Sequence, residues 1–526
     1  MTTVRSVGVV SQFDSSFRTA LGNTSLEAVD LETLERLEQS PEVDCFLDPA
    51  APKILYTLVQ SHMNSRPNSR IFDDQYGLVC VRILIRLVQV IVCQNSDTLS
   101  YVRESMGGAA ANTSILAFLS GHTVDVIQRQ MGQSHNNNSL KTISEILGKS
   151  KDLFTRDHIS KLLGLLWQDR KSFFVLFKNG SLQGIVLLLY MVWVQISGIM
   201  SEMDEFLMAR LRDLLFRCYL VTDAQERHTI RLLCIQMYHL YNGHDDESHP
   251  FDLEDSRAMV HAYNQCIMFS ADPDPLGGMK LDMYRYLLEF VTDVTVLPMQ
   301  EELPLVIRAA IERLWLAFDT ENIEPLITPD DPRSQTMYYF GDLSYALSQF
   351  FSRVRPKHRS KAVVEALVQS NWPEVMARYM LHCFRKPVIM TFPTFTMRYL
   401  PAVTTMVAEF GHVPYEAFAG TYPDWLKILS YLRLLIGSRD PRDPAIAHVG
   451  EVVEEWRRWG MAVGFEQSPF ETDCAYPRCV GGLSTCVCGR CGTARYCSIK
   501  CQRADWLSSF PDSHRRLCQA KKPVNV

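Results

Sequence analysis

Apolar residues recur at helical spacing along most of the chain, from about Leu26 to Trp459. Val81–Val92, for example, is apolar except at Arg82, Arg86 and Gln89. These three polar positions fall at i, i+4 and i+7 and therefore form a single stripe on an otherwise buried helix. Alternating strand patterns are scarce, so the spacing predicts an all-α fold.

The same spacing returns in further stretches, which are separated by polar turns rich in Asn, Asp, Gly and Pro. These predicted helices are 52–63, 157–177, 203–219, 224–241, 253–268, 279–292, 303–318, 337–352, 360–384, 422–437 and 445–458. Many antiparallel helices with short loops are typical of stacked helix pairs of the armadillo or HEAT type. No repeat of fixed length is found, so an irregular all-α domain is the alternative.

The helical period stops near Trp459, where Gly460, Gly464 and Pro469 interrupt it. A segment dense in cysteine follows. The predicted organisation is a loosely ordered N-terminus (1–25), an all-α domain (26–458), a linker (459–473), a cysteine-rich module (474–518) and a tail (519–526).

One apolar stretch is long enough to span a bilayer, because the 23 residues from Asn179 to Ser201 carry no charge. Gln183 and Gln195 within the stretch, and amphipathic helices on both sides of it, favour a buried central helix instead. A membrane anchor through residues 181–200 is the alternative interpretation.

Composition narrows the function classes. The chain has 526 residues, of which 47% are apolar and 21% charged, as expected for a folded globular protein rather than a disordered one. The net charge of −6 argues against non-specific nucleic-acid binding by the whole molecule. The N-terminus has no secretory signal pattern, so we expect an intracellular protein, cytoplasmic and/or nuclear.

The 15 cysteines fall into two populations. Eight lie between Cys474 and Cys518. In a reducing compartment such a cluster indicates metal ligands before disulfides. The seven scattered ones lie mostly in apolar surroundings and are interpreted as small core residues: Cys45, Cys80, Cys93, Cys218, Cys234, Cys266 and Cys383.

The cysteine-rich module offers ligand pairs at spacings that suit zinc. Two cysteines two to four residues apart hold one ion from a tight turn, and a His with a Cys four residues later does so from one helix face. The pairs are Cys474/Cys479, Cys488/Cys491, Cys497/Cys501 and His514/Cys518. Eight ligands make two closed, structural sites. Cys486 is a ninth potential ligand and competes with Cys479 for its place.

The run from Cys488 to Trp506, followed by His514-x3-Cys518, resembles the MYND zinc finger. The resemblance rests above all on Tyr-Cys-Ser-x-x-Cys-Gln-x-x-x-Trp, which begins at Tyr496. It implies two zinc ions per chain, held by interleaved ligand sets. The first set is Cys474, Cys479, Cys497 and Cys501, and the second is Cys488, Cys491, His514 and Cys518.

MYND fingers bind short proline-containing peptides of partner proteins. The resemblance implies that Gln502 and Trp506 lie at such a surface, with Tyr496 and Ser498 nearby. An aromatic face and a side-chain amide also suit proline stacking and backbone hydrogen bonds on physical grounds. The alternative is that Trp506 and Tyr496 merely pack the small core of the finger.

The sequence contains no catalytic motif that is complete and lies in the secondary-structure context that its chemistry requires. With two closed metal sites, this favours a non-enzymatic adaptor or scaffold, which recruits proteins through the finger and a helical platform. An enzyme with an active site hidden in the helical domain is the alternative. The segment from Cys474 to the end of the sequence is only mildly basic, about +4 with its ions bound. It carries no recognition-helix pattern, so nucleic acid is not an expected partner.

Overall fold

The computed structural model is predominantly helical, as the sequence predicts. The predicted N-terminal segment 1–25 and the tail 519–526 lie outside the residues that it describes. The described residues are 29–40, 43–48, 50–66, 69–109, 115–133, 154–197, 205–222, 226–227, 229–231, 233–234, 251–269, 281–296, 299, 301–321, 332–353, 356–385, 400–401, 403–405, 407–409, 413–438, 444–465, 474–476, 479, 485–492, 494–507 and 514–518.

The chain divides into two compact units, Met1–His249 and Pro250–Val526, so this division falls inside the predicted helical domain 26–458. The helices of the first unit are α1 (Leu31–Gln39), α2 (Ala51–Ser65), α3 (Gln75–Asn95), α4 (Leu99–Ala109), α5 (Ile115–Gln133), α6 (Arg156–Gln168), α7 (Arg170–Lys178), α8 (Ile185–Ser197) and α9 (Glu205–Val221). Those of the second unit before the finger are α10 (Leu253–Phe269), α11 (Leu281–Val294), α12 (Leu303–Glu321), α13 (Pro332–Arg353), α14 (Pro356–Gln369), α15 (Trp372–Arg385), α16 (Val413–Phe418), α17 (Tyr422–Ser438) and α18 (Pro444–Ala462).

The first unit is organised around α3, which contacts α1, α2, α4, α5 and α8. Two residues of the predicted polar stripe on this helix bind the end of α1. Arg86 donates to the carbonyl oxygens of Leu37, Glu38 and Ser40, which lie at the end of α1. Arg82 forms an ion pair of 2.6 Å with Glu38. Arg86 thus satisfies C-terminal carbonyls that α1 leaves without helical partners.

Two apolar helices bear on the membrane interpretation. Among the described residues, α3 is the helix long and apolar enough to cross a membrane, but 83% of its most apolar stretch is buried in the protein. In the region predicted as an alternative anchor, every residue of α8 from Ile185 to Val194 is buried in the protein. Gly180 and Gly184, both at positive φ, precede it in a turn. The packing therefore supports a buried helix.

Six of the seven scattered cysteines are buried in the helical units, as predicted for core residues, while the side chain of Cys383 is outside the description. Burial raises the pKa of the Cys80 thiol to about 12 and that of Cys93 to about 11. Both thiols therefore stay neutral at physiological pH and pack as small apolar groups.

In the second unit, helices contact the second helix along the chain as well as the next one. Thus α10 contacts α11 and α12, α11 contacts α13, and α12 contacts α13 and α14. Stacked helix pairs produce this pattern because each pair packs on its neighbour. An armadillo or HEAT assignment within it stays a prediction.

Two predicted helices are each interrupted by a feature that periodicity does not reveal. The stretch 157–177 is α6 and α7, which meet at the buried Asp169, whose Oδ2 accepts from the backbone N–H of Phe72 at 2.9 Å. The stretch 360–384 is α14 and α15, which are separated by Asn371 at φ 53°. Asn tolerates this left-handed conformation better than most residues do.

The predicted linker 459–473 begins too early. Helix α18 continues to Ala462, and Trp459 and Phe465 are buried. Phe465 packs on the rings of Tyr422 and Trp425 at centroid distances of 5.3 and 5.4 Å. Gly460 does not end the helix. Its missing side chain leaves room for the Trp425 ring, which a Cβ atom there would overlap. Residues 466–473 lie outside the described part of the chain.

The two indoles at this contact also fasten α17 to α18. Trp425 donates from Nε1 to the carbonyl of Trp456 at 2.9 Å, and Trp456 donates to the carbonyl of Trp425 at 3.0 Å. Both polar ring groups are thereby satisfied inside an apolar contact. Helix α17 further contacts the last helix of the finger, so this pair supports the C-terminal module.

The finger consists of β1 (Cys486–Val487), β2 (Arg495–Tyr496), α19 (Ile499–Leu507) and α20 (His514–Leu517). The strands pair antiparallel, with Cys486 opposite Tyr496. Gly492, at φ 67°, lies in the turn that connects them. Ala475 donates to the carbonyl of Arg495 at 2.6 Å, which attaches the first part of the module to the hairpin.

We predict that Gly460→Ala destabilises the protein, because a methyl group at this position overlaps the Trp425 ring. The expected loss is about 1–3 kcal/mol of unfolding free energy. Thermal unfolding followed by circular dichroism measures it.

Gly450→Ala is the matched control, because it lies in the same helix and a methyl group there meets nothing within 4 Å. Since alanine favours helix, this variant should be neutral or stabilised by up to about 1 kcal/mol. Equal effects of the two substitutions would contradict the role assigned to Gly460.

Candidate metal centre

The first group of ligands combines Cys474, Cys479, Cys497 and Cys501, whose sulfur atoms all lie within 4.8 Å of one another. The Sγ atoms of Cys479 and Cys497 are 3.5 Å apart, as are those of Cys497 and Cys501. Cys497 follows β2, and Cys501 lies one turn into α19. The end of β2 and the start of α19 therefore bring Cys497 and Cys501 beside Cys474 and Cys479, which precede the hairpin of β1 and β2.

The second group combines Cys488, Cys491, His514 and Cys518, again within 4.8 Å. Cys488 and Cys491 belong to the turn after β1, and His514 opens α20. The Sγ atoms of Cys488 and Cys518 are 3.8 Å apart, and Nε2 of His514 is 3.5 Å from the sulfur of Cys491. All four side chains are buried.

These distances fit tetrahedral zinc. Zn–S bonds of about 2.3 Å place two sulfur ligands about 3.8 Å apart, and a Zn–N bond of about 2.05 Å gives about 3.6 Å between sulfur and nitrogen. The measured separations of 3.5–3.8 Å agree with both values. Each site has four protein ligands, which is the composition of a structural rather than a catalytic zinc site.

The ligand order is interleaved. The first and third pairs along the chain form one site, and the second and fourth pairs form the other. Comparison with protein families gives a match to the MYND finger over residues 474–518. These residues are a MYND finger. Comparisons with curated proteins and with solved structures give no match for the chain.

The core of the MYND finger consists almost entirely of metal ligands. Its buried cluster contains five of the ligand cysteines together with Ala494 and Tyr496. Burial raises the pKa of Cys474 and of Cys518 to about 12. Since zinc binds thiolates, ion binding must displace these protons, and folding of the finger is coupled to metal.

An acidic residue that the sequence analysis missed joins the two helices of the finger. Asp505 is 4% exposed, and its Oδ2 accepts from the hydroxyl of Tyr496 at 2.9 Å. Its Oδ1 accepts from the backbone N–H of His514 at 3.4 Å. Burial raises the pKa of this carboxyl above its ordinary value. Asp505 follows Cys501 by four residues, so helical spacing places both on the inner side of α19. This spacing from a metal ligand is the feature of the sequence that indicates a buried position for Asp505.

The four residues predicted for peptide binding have different positions. Tyr496 is fully buried, and its hydroxyl donates to Asp505, so it is a core residue of the finger. The prediction that it lies near the peptide surface is wrong. Ser498 caps α19, since its Oγ accepts from the N–H of Cys501 at 3.2 Å. Gln502 is partly exposed. Trp506 is partly buried against the ligand cluster, with its ring 6.0 Å from that of His514.

Cys486 belongs to neither ligand group, although it packs against the buried cluster that the ligands form. It belongs to β1 and is partly exposed, and its thiol donates to the carbonyl of Tyr496 at 3.4 Å. The structure therefore places Cys479, and not Cys486, beside the other three ligands of the first site.

We predict that Cys479→Ser lowers the zinc content from two ions per chain to about one, because three remaining thiolates hold the first ion poorly. Cys486→Ser should retain both ions. Elemental analysis of the purified full chain measures the ratio of zinc to protein. The ligand scheme is wrong if Cys486→Ser loses an ion and Cys479→Ser does not.

Proposed function

We propose that the protein is a non-enzymatic adaptor whose MYND finger binds a short segment of a partner protein. The observation that carries the proposal is the structure of α19. Its inner side supplies Cys501 to a closed metal site, while its outer side exposes Ile499 and Leu507 at 74% and 66%. A structural ion thus supports an apolar surface that nothing in the described part of the finger covers.

Gln502 and Trp506 give this surface the means to bind a proline-containing peptide. They are four residues apart on α19 and therefore neighbours on its face. One side of the Trp506 ring packs on the ligand cluster, which holds the indole in place. An aromatic ring held in this way stacks on proline at little entropic cost, and the amide of Gln502 is a hydrogen-bonding group for the peptide backbone.

The helical units are proposed as the platform that holds a second partner. The contacts of α10, α11 and α12 with their second neighbours support an elongated stack in the second unit, which offers more surface than a compact bundle. Leu305 and Leu316 of α12 are 54% and 50% exposed and are candidate contacts on that surface.

The alternative of a hidden enzyme gains no support from the cavity in the first unit. Its lining includes Ser120, Thr123, Glu226 and Thr229, but the space in which the centre of a water molecule can move is only about 10 Å³, so it has room for about one water. A cytoplasmic and/or nuclear location is part of the proposal. It is supported by six buried free thiols in the helical units and by seven cysteine ligands, which a reducing compartment preserves.

We predict that Gln502→Ala and Trp506→Ala each abolish capture of the partners that depend on the finger, because both remove part of the proposed peptide surface. Affinity purification of the full chain from cell extract, with mass spectrometry of the bound proteins, compares them with the wild type.

Zinc content separates binding from folding in this test. Gln502→Ala should keep two ions, because Gln502 lies outside the ligand cluster. If Gln502→Ala keeps both ions and captures the same proteins as the wild type, the peptide surface lies elsewhere. Loss of zinc from Trp506→Ala alone would mean that the indole serves the core of the finger.

A further inference from the structure

The exposed side of α19 has an ordered arrangement of side chains. Helical spacing places Arg503 beside Ile499, Trp506 and Leu507, since these lie four residues before it and three and four residues after it. Lys500 borders the same side, three residues before Arg503. Ile499, Lys500, Arg503 and Leu507 are all exposed, and Trp506 is partly so. We refer to these five residues as the α19 face.

The described part of the finger has no negative charge to balance its cations at the surface. Five cations are exposed, and none of them forms an ion pair within the described residues: Arg490, Arg495, Lys500, Arg503 and Arg515. The described carboxylate, Asp505, is buried and bonded to Tyr496. The two ions offset only part of the charge of the seven ligand thiolates, and with both counted the module 474–518 keeps a net charge of about +2.

We infer that the peptide segment bound on the α19 face is acidic as well as proline-containing, and that Arg503 pairs with one of its carboxylates. This inference rests on the proposed function and adds the charge of the partner to it. A peptide stacked on Trp506 passes next to Arg503, because the two are three residues apart on the helix. Complementary charge at the rim of an interface accelerates association and excludes basic segments.

The apolar members of the face favour peptide over nucleic acid. Ile499 and Leu507 flank Arg503 and expose about three quarters and two thirds of their surface. Aliphatic side chains suit leucine, isoleucine or proline of a peptide, whereas single-stranded nucleic acid is bound by exposed aromatic rings along a groove of cations. The aromatic ring of the face, Trp506, is partly covered by the ligand cluster.

The test uses a synthetic peptide whose composition matches the inferred partner. The sequence of residues 320–332, Thr-Glu-Asn-Ile-Glu-Pro-Leu-Ile-Thr-Pro-Asp-Asp-Pro, combines three prolines, three aliphatic residues and four acids. A matched neutral peptide replaces each Glu by Gln and each Asp by Asn. Fluorescence anisotropy measures the binding of both peptides to the zinc-loaded full chain at low and at physiological salt.

The acidic peptide should bind more tightly than the neutral one, by about fivefold at low salt, and the difference should shrink as salt rises. Arg503→Glu should weaken the acidic peptide by about tenfold and leave the neutral one nearly unchanged. A peptide with lysine at the four acidic positions should prefer Arg503→Glu to the wild type. Arg156→Glu, at an exposed position of α6, is the charge-matched control and should have no effect.

Three results would overturn the inference. Equal binding of acidic and neutral peptides, both lost in Gln502→Ala, would keep the peptide surface but remove its acidic preference. If neither peptide binds, the inference that the α19 face binds an acidic, proline-containing segment is wrong. The adaptor function is tested separately, by the capture of partner proteins. Tighter binding of a 20-nucleotide oligothymidylate, lost in Arg503→Glu, would identify the face as a nucleic-acid site.

Discussion

The finger depends on one constraint, which is that its core is made of groups that need a cation. Seven thiols and an imidazole lie in two sets, each within 4.8 Å, and few other side chains are buried with them. As thiolates these groups repel one another, and as neutral thiols they supply little apolar area to stabilise a module of this size. Two zinc ions resolve the conflict, because each exchanges the repulsion among its ligands for coordination bonds.

The interleaved ligand order spreads this constraint over the whole module. Removal of the first ion would separate the segment before the hairpin from the start of α19, and removal of the second would separate the hairpin turn from α20, since each site joins two distant parts of the finger. The bond from Tyr496 to Asp505 adds a metal-free connection between β2 and α19, and Asp505 in turn accepts from the first residue of α20. One helix therefore serves both purposes: Cys501 and Asp505 face inwards, and the α19 face points outwards. The shape of the surface follows from the metal sites beneath it.

The extent to which sequence determines these features differs between the two parts of the protein. Ligand pairs were predictable, because coordination requires particular residue types at short spacings, and that pattern is local. The position of Tyr496 was not, since an aromatic residue in a small module suits either core or surface until the partner of its hydroxyl is known. In the helical units, periodicity predicts which stretches are helices but not where they break. Asp169 and Asn371 interrupt helices through a distant backbone contact and a left-handed conformation, respectively. Similarly, Gly460 interrupts the period in sequence, yet in the structure it is the place where Trp425 packs.

Among the described residues, the short helix α20 connects the finger with the helices. Helix α20 has four residues, begins with the ligand His514, and is followed directly by the ligand Cys518. The same short helix contacts α17, which the paired indoles of Trp425 and Trp456 fasten to α18. A four-residue helix is not stable by itself, so its geometry must come from the ion on one side and from α17 on the other. Metal binding at the second site and attachment of the finger to the helices are therefore coupled. It follows that the second ion also helps to determine how the α19 face is presented by the helical unit that supports it.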